Sequence, residues 1–151
     1  MDINLPPYDV RCREHNGKRE IFDFLRRRYV ALTPEEWVRQ HFVHYLVEHK
    51  GYPKGLLGNE IEIRIGTKHL RCDSILFDKQ RHPLIVMEYK AEGIPLTEKV
   101  VRQITTYNML LRVRYLFISN GDNHLCLYLD KENGIWHTVN TIPDYEQVTS
   151  Y

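Results

Sequence analysis

Glu88 and Lys90 stand two residues apart where an apolar run ends, in the stretch LIVMEYKAEG that covers residues 84–93. Side chains two apart on a strand share a face, so an extended 84–90 segment points this carboxylate and this amine the same way. Asp73 lies fifteen residues upstream, close enough for a short hairpin to set it alongside. Two carboxylates converging beside an ammonium suit a hard divalent cation such as Mg²⁺, which takes oxygen ligands and keeps several waters. Such an ion acidifies a bound water and neutralises charge on a phosphoryl group. A lysine beside it can orient or deprotonate the attacking water and offset the developing charge. The same three residues also read as a cross-strand ion pair worth about 0.2–1 kcal/mol.

Register separates the two readings. In a regular antiparallel pair, facing residues project to the same side. Pairing Asp78 with Leu84 across the loop between them would set residue 73 opposite residue 89, with Asp73 on the wrong face. A metal site therefore requires Asp73 opposite residue 88 or 90, or a bulge in between. The helix expected next carries a second clue. At 100° per residue, Val100, Gln103, Ile104, Tyr107 and Leu111 fall in a stripe about 100° wide. Gln103 is thus expected on the packed face, where an unpaired amide costs about 1–3 kcal/mol. Either the carboxylate–lysine cluster or a strand carbonyl can meet it there.

These residues need a frame to hold them. The segment TPEEWVRQHFVHYLVEHKGYP predicts a helix: Thr33 caps it, Pro34 suits its first position, and Glu36 completes a capping box. Gly51 and Pro53 stop it. EIEIRI at 60–65 alternates at the period of a half-buried strand, HLRCDSILFD follows as a second, and LIVMEYK as a third. A helix spans about Thr97 to Leu111, then two strands flank an Asn120-Gly121 turn, and GIWHTV adds a short last strand. REIFDFLRRRYVAL reads as a strand or hairpin. Residues 1–17, with Pro6, Pro7, Asn16 and Gly17, read as a flexible arm, and 18–151 as a single domain. The order implies an α/β fold with a central mixed β-sheet flanked by α-helices.

Composition narrows the class. The chain has 151 residues, 42% apolar and 27% charged, which suits a globule with a real core. No apolar run approaches the roughly 18 residues of a membrane span. The N-terminus lacks the basic start and apolar stretch of a secretory signal, so a cytoplasmic location and no membrane partner are expected. Cys12, Cys72 and Cys126 form no C-x-x-C pair, which argues against a disulfide framework or a structural zinc. A net charge of +1 means that a nucleic acid must be held by a local patch. Arg26, Arg27 and Arg28 are the candidates for phosphate contact, against a solvated strand edge. His41 and His44 share a helix face, but no H-E-x-x-H surrounds them. Ser119-Asn120-Gly121 is a turn and not a nucleophile elbow.

Asp73, Glu88-Tyr89-Lys90 and Gln103-Ile-Thr-Thr-Tyr107 together resemble the PD-(D/E)XK nuclease pattern, with the Q-x-x-x-Y helix of its RecB-type branch. The segments LTPEEWVRQHFVHYL, KGYPKGL, RCDSILFD, PLIVMEYKA, QITTYNM, YLFISNG and IPDYE resemble the N-terminal domains of type I restriction enzyme R subunits, over about residues 18–147. The resemblance implies a PD-(D/E)XK (restriction-endonuclease-like) fold and cleavage of DNA phosphodiesters with Mg²⁺, or Mn²⁺ as substitute. By position it makes Asp73 and Glu88 metal ligands, Lys90 the catalytic lysine, and Gln103 with Tyr107 the helical motif. Many members of the fold add a helix acid, for which Glu36 is the candidate, although its cap role explains it equally well. Two departures stand out: Cys72 replaces the proline usual before the aspartate, and R subunits are long chains with a helicase motor whose P-loop is absent here. The expectation is a metal-dependent DNA nuclease. The alternative is a catalytically inactive module of the same fold, binding nucleic acid or other restriction-system subunits; a homodimer is compatible with either.

Overall fold

The segment REIFDFLRRRYVAL folds as two strands, in line with the strand-or-hairpin reading, and a third strand precedes them. β1 (Cys12–His15), β2 (Lys18–Asp23) and β3 (Arg28–Ala31) form a small antiparallel sheet in the computed structural model, which describes residues 3–150. Residues 1, 2 and 151, at the outer ends of the expected arm and domain, lie outside the described residues. Within the segment read as an arm, β1 pairs with β2, and Asn4 N donates to Gly121 O at 2.7 Å. Tyr8 stacks on His44 with ring centroids 4.0 Å apart.

α1 (Pro34–Lys50) starts where the cap signal placed it: Thr33 Oγ1 accepts from Glu36 N at 3.0 Å. The reciprocal half of the expected capping box does not form, because the Glu36 side chain turns inward to other donors described below. Gly51, at φ +73°, ends the helix in a left-handed turn that only glycine enters without strain. The main sheet follows, made of β4 (Leu57–Ile65), β5 (Lys68–Phe77), β6 (Pro83–Tyr89), β7 (Tyr115–Ser119), β8 (His124–Asp130) and β9 (Ile135–Val139), in that spatial order. Only β6 and β7 are parallel, and their crossover carries α2 (Glu98–Asn108), as parallel neighbours require a long connection. α3 (Tyr145–Thr149) closes the described chain.

The sheet is buried on both faces. Val38, Phe42 and Leu46 of α1 pack with Ile85, Met87 and Phe117 on one side. Ile104 of α2 packs with Val86, Leu116 and Ile118 on the other. Burying a side chain of this size stabilises by about 1.5–3 kcal/mol, so both helices are held by apolar contact. Among the described residues no helix is long and apolar enough to cross a membrane, and the three cysteines are free thiols.

Two irregularities shape the ladder. Between β5 and β6 the register runs Ser74↔Met87, Ile75↔Val86, Leu76↔Ile85, then shifts to Phe77↔Pro83. Leu84 is the extra residue of a bulge. Between β4 and β5, Asn59 pairs Ser74 and Ile61 pairs Cys72, yet the residue between, Glu60, has φ +54°. Strand alternation reverses there: Ser74 Oγ meets the Tyr89 hydroxyl at 3.0 Å beside the α1 core, while Cys72 packs on the α2 side. A non-glycine residue held left-handed costs of the order of 1–3 kcal/mol and persists only where its surroundings over-determine it.

A buried polar chain joins the small sheet to the large one. Asp23, fully buried, accepts from the backbone N–H groups of Leu25 and Arg26, from the Arg26 guanidinium and from Asn59 Nδ2. Asn59 Oδ1 in turn accepts from Ser74 Oγ at 2.6 Å. Burial alone would raise the Asp23 pKa, but the hydrogen bonds from Arg26 and Asn59 prevail and hold it below the ordinary range. This linkage places Arg26 over the cleft that contains the candidate site.

Candidate active site

The bulge at Leu84 supplies what the site required. Continued one step, the Ser74↔Met87 register opposes Asp73 to Glu88 rather than to Tyr89. Asp73 Oδ2 accepts from Tyr89 N at 2.9 Å, which anchors the carboxylate across the strand pair. Asp73, Glu88 and Lys90 line one cleft of about 550 Å³. Lys90 follows the last residue of β6, and its N–H donates to Ser119 O at 2.8 Å, so the main chain stays tied to β7 beyond the strand's end.

The two carboxylates strain against one another. Burial, then the neighbouring Asp73 carboxylate, raises the Glu88 pKa well above the ordinary carboxylate range; Asn108 and Lys90 only partly oppose this. Glu88 Oε1 is buried and has no hydrogen-bond partner among the described residues. A buried acceptor left so costs about 1–3 kcal/mol, and a cation beside it would relieve both the orphaned oxygen and the repulsion. The all-oxygen donor set suits Mg²⁺. Among the described residues no cluster of three or more His, Cys, Asp and Glu side chains converges on a common point. Two carboxylates with water or phosphate oxygens are nevertheless the usual way in which Mg²⁺ is held.

This strain gives a measurable expectation. Because the folded-state pKa of Glu88 is raised to about 9, the folded chain binds more protons than the unfolded chain between about pH 4.3 and that value. Wild-type stability should therefore fall as pH rises through that window in a chelator. Glu88→Gln, which cannot ionise, should remove this slope and gain about 1–3 kcal/mol near pH 8. Melting curves in EDTA test this, and Mg²⁺ should raise the wild-type melting temperature while leaving the variant unmoved.

Glu36 lies in the same cleft but is fully engaged. Arg39 grips it with two bonds, Nε to Oε2 at 2.8 Å and Nη2 to Oε1 at 2.6 Å. Gln40 Nε2 and Arg26 Nη2 donate to it as well. The same Arg39 guanidinium, 6% exposed as a residue, donates to Glu60 Oε1 at 2.9 Å and to the Asp73 main-chain oxygen at 2.8 Å. Arg71 Nε meets the other Glu60 oxygen. Glu60, in its left-handed conformation opposite Asp73, thus anchors two arginines, and Arg39 takes up the Asp73 carbonyl where the strand ladder is interrupted. Sequence reasoning missed Arg39, Glu60 and Arg71; the E-x-x-R spacing of Glu36 and Arg39 was the available signal.

The helical motif needs correction. Gln103 is exposed and not on the packed face of α2, whose buried residues are Ile104 and Asn108. The packed stripe is turned toward Val100, Val101, Ile104 and Leu111, which moves Gln103 to the rim. There it shares a small cleft with Glu88, Lys90, Tyr107 and Asn108. Tyr107 is 46% exposed, and its hydroxyl accepts from Arg71 N at 3.1 Å. The buried amide beside the carboxylates is Asn108, whose Nδ2 donates to Ile104 O while Oδ1 lacks a partner among the described residues. The three consecutive arginines do not form one patch either. Arg26 is ion-paired with Asp23 and Glu36 in the main cleft. Arg27 lines a different cleft, and Arg28 lies exposed on β3.

A mixed sheet whose bulged strand pair delivers two carboxylates and a lysine to one cleft is thus the frame of this domain. The family described as type I restriction enzyme R protein N terminus (HSDR_N) matches residues 34–143. The chain belongs to that family. Among solved structures, the chain is similar to a fragment described as a putative HsdR subunit of a type I restriction enzyme from Vibrio vulnificus YJ016, with a TM-score of 0.54 and 20% identity over 79% of this chain. It is also similar to a chain of the DrdV–DNA complex, with a TM-score of 0.44 and 17% identity over 71% of this chain. It spans 25% of the length of the first and 10% of the second. A search of curated proteins found no match.

Proposed function

We propose that this domain is a nuclease of the PD-(D/E)XK fold that hydrolyses DNA phosphodiester bonds with Mg²⁺, or Mn²⁺ in its place. The observation that supports the reading is that Asp73, Glu88 and Lys90 line one cleft just past the bulge, with Glu88 Oε1 unpartnered among the described residues. Asp73 and Glu88 would hold the ion. The chemistry it supplies when bound is acidification of water and stabilisation of charge at phosphorus. Lys90 orients the attacking water and offsets charge on the phosphoryl oxygens. Arg39 and Tyr89 N fix Asp73 at its carbonyl and carboxylate, so the acid is positioned before substrate arrives. Arg71, exposed at the mouth of the cleft, stands where a phosphate would enter. Membership of the family supports a place in restriction, with the remaining subunits of such a system as partners.

The net charge of +1 favours a second reading, a module of the same fold that holds nucleic acid or a partner without cutting. Incubation with plasmid and with single-stranded DNA separates the two. Cleavage in Mg²⁺ or Mn²⁺ that stops in EDTA is the expected result. Binding without cleavage under either metal would leave only the second reading.

A further inference from the structure

A second cleft, of about 310 Å³, gathers Arg11, Arg27 and Lys54. Arg13, Arg26, Arg39, Arg71 and Arg102 are all paired with carboxylates. Arg11, Arg27 and Lys54, which line this second cleft, close no ion pair among the described residues. Aromatic rings hold two of them instead: the Arg11 guanidinium lies 5.3 Å from the Phe22 ring centre, and Lys54 Nζ lies 4.6 Å from that of Phe24. A ring face attracts a cation without cancelling its charge, so both side chains are positioned yet remain available to an anion. Tyr8 and His44, stacked on each other, line the same cleft, and Asp9 is the one acid among its described lining residues.

The cleft also has a fixed relation to the candidate active site. Arg26 and Arg27 are consecutive, yet the first lines the main cleft and the second lines this one. Along α1, Arg39 lines the main cleft and His44 the other, about 7.5 Å apart on the helix axis at 1.5 Å per residue. Cations interleaved with aromatic rings are the usual lining of grooves that track single-stranded nucleic acid.

We propose that this second cleft binds a backbone phosphate of a single-stranded nucleic-acid segment. The proposal rests on the cleft alone and stands apart from the nuclease reading.

The test uses the full chain, a fluorescently labelled single-stranded oligothymidylate and EDTA, with affinity followed by anisotropy across a salt series. Arg11→Ala combined with Lys54→Ala should weaken binding at least tenfold and flatten the slope of the salt dependence by about 0.7 for each phosphate no longer neutralised. Arg27→Ala, which removes no ring contact, is the second variant and should act in the same direction. The pair Lys79→Ala and Arg81→Ala, exposed in the β5–β6 loop, should leave affinity unchanged. Equal loss in that pair, unchanged affinity in both cleft variants, or absence of wild-type binding would overturn the proposal. So would displacement of the strand by equimolar inorganic phosphate, which would make the cleft a small-anion site. Because binding is read without metal, a failure here is distinct from failure of the nuclease reading, which appears as intact binding without cleavage in any metal.

Discussion

Lys90→Ala should lower metal-dependent DNA cleavage by about 10²–10³-fold, the effect of removing one preorganised donor from developing charge. Folding should be unaffected, because the part of Lys90 that ties the chain to β7 is its main-chain N–H, which alanine retains. The side chain shares the cleft with Asp73 and Glu88, and on the nuclease reading it would serve the reaction rather than the core. The loss should fall on kcat, with DNA affinity in EDTA nearly constant. A drop in affinity that accounts for the whole effect would make Lys90 a phosphate anchor only. Arginine should rescue poorly, since its planar fork cannot replace a compact ammonium beside two carboxylates.

Arg39→Met should destabilise the fold by about 3–5 kcal/mol, the usual result of removing one partner from a buried ion pair. The guanidinium serves Glu36, Glu60 and the Asp73 carbonyl at once. Without it Glu36 retains only Gln40 and a longer contact to Arg26. The urea midpoint should fall accordingly, and adding Glu36→Gln should recover part of the loss by discharging the stranded acid. The Glu36 pair pushes the Arg39 pKa upward against the opposing effect of burial, so the cation persists at any ordinary pH. A cost under about 1 kcal/mol would place the network among weak surface pairs.

The features legible in the sequence were local ones. The Thr33 cap, the Gly51 stop and the alternation of EIEIRI each specify a few residues through near-neighbour physics, and all three stand. The pairing of β5 with β6 was not legible, because loop length alone implied a regular ladder with Asp73 facing Tyr89. The hairpin instead pairs Phe77 with Pro83, which continued regularly would set Asp73 opposite Met87; the extra residue Leu84 moves it on by one, and nothing in its apolar character distinguishes a bulge from a paired position. On α2 the apolar stripe was identified but its centre was displaced, so Gln103 was placed inside and Asn108 overlooked. For Glu36, one spacing served two roles: the helix cap is made by its main-chain N–H, while its carboxylate answers Arg39. A buried arginine gives no periodic signal, and its partner Glu60 comes from another strand.

The Asp23–Asn59–Ser74 chain bears on where this unit of structure begins. The family match starts at residue 34, yet Asp23 and the Phe24 N–H, which satisfy Asn59 Nδ2 and Gln40 Oε1, lie before it. A piece cut at the match boundary would expose one face of α1 and strand two buried polar groups next to the cleft. The folded unit therefore extends beyond the matched segment, and the small sheet forms one wall of the cleft rather than an appendage to it.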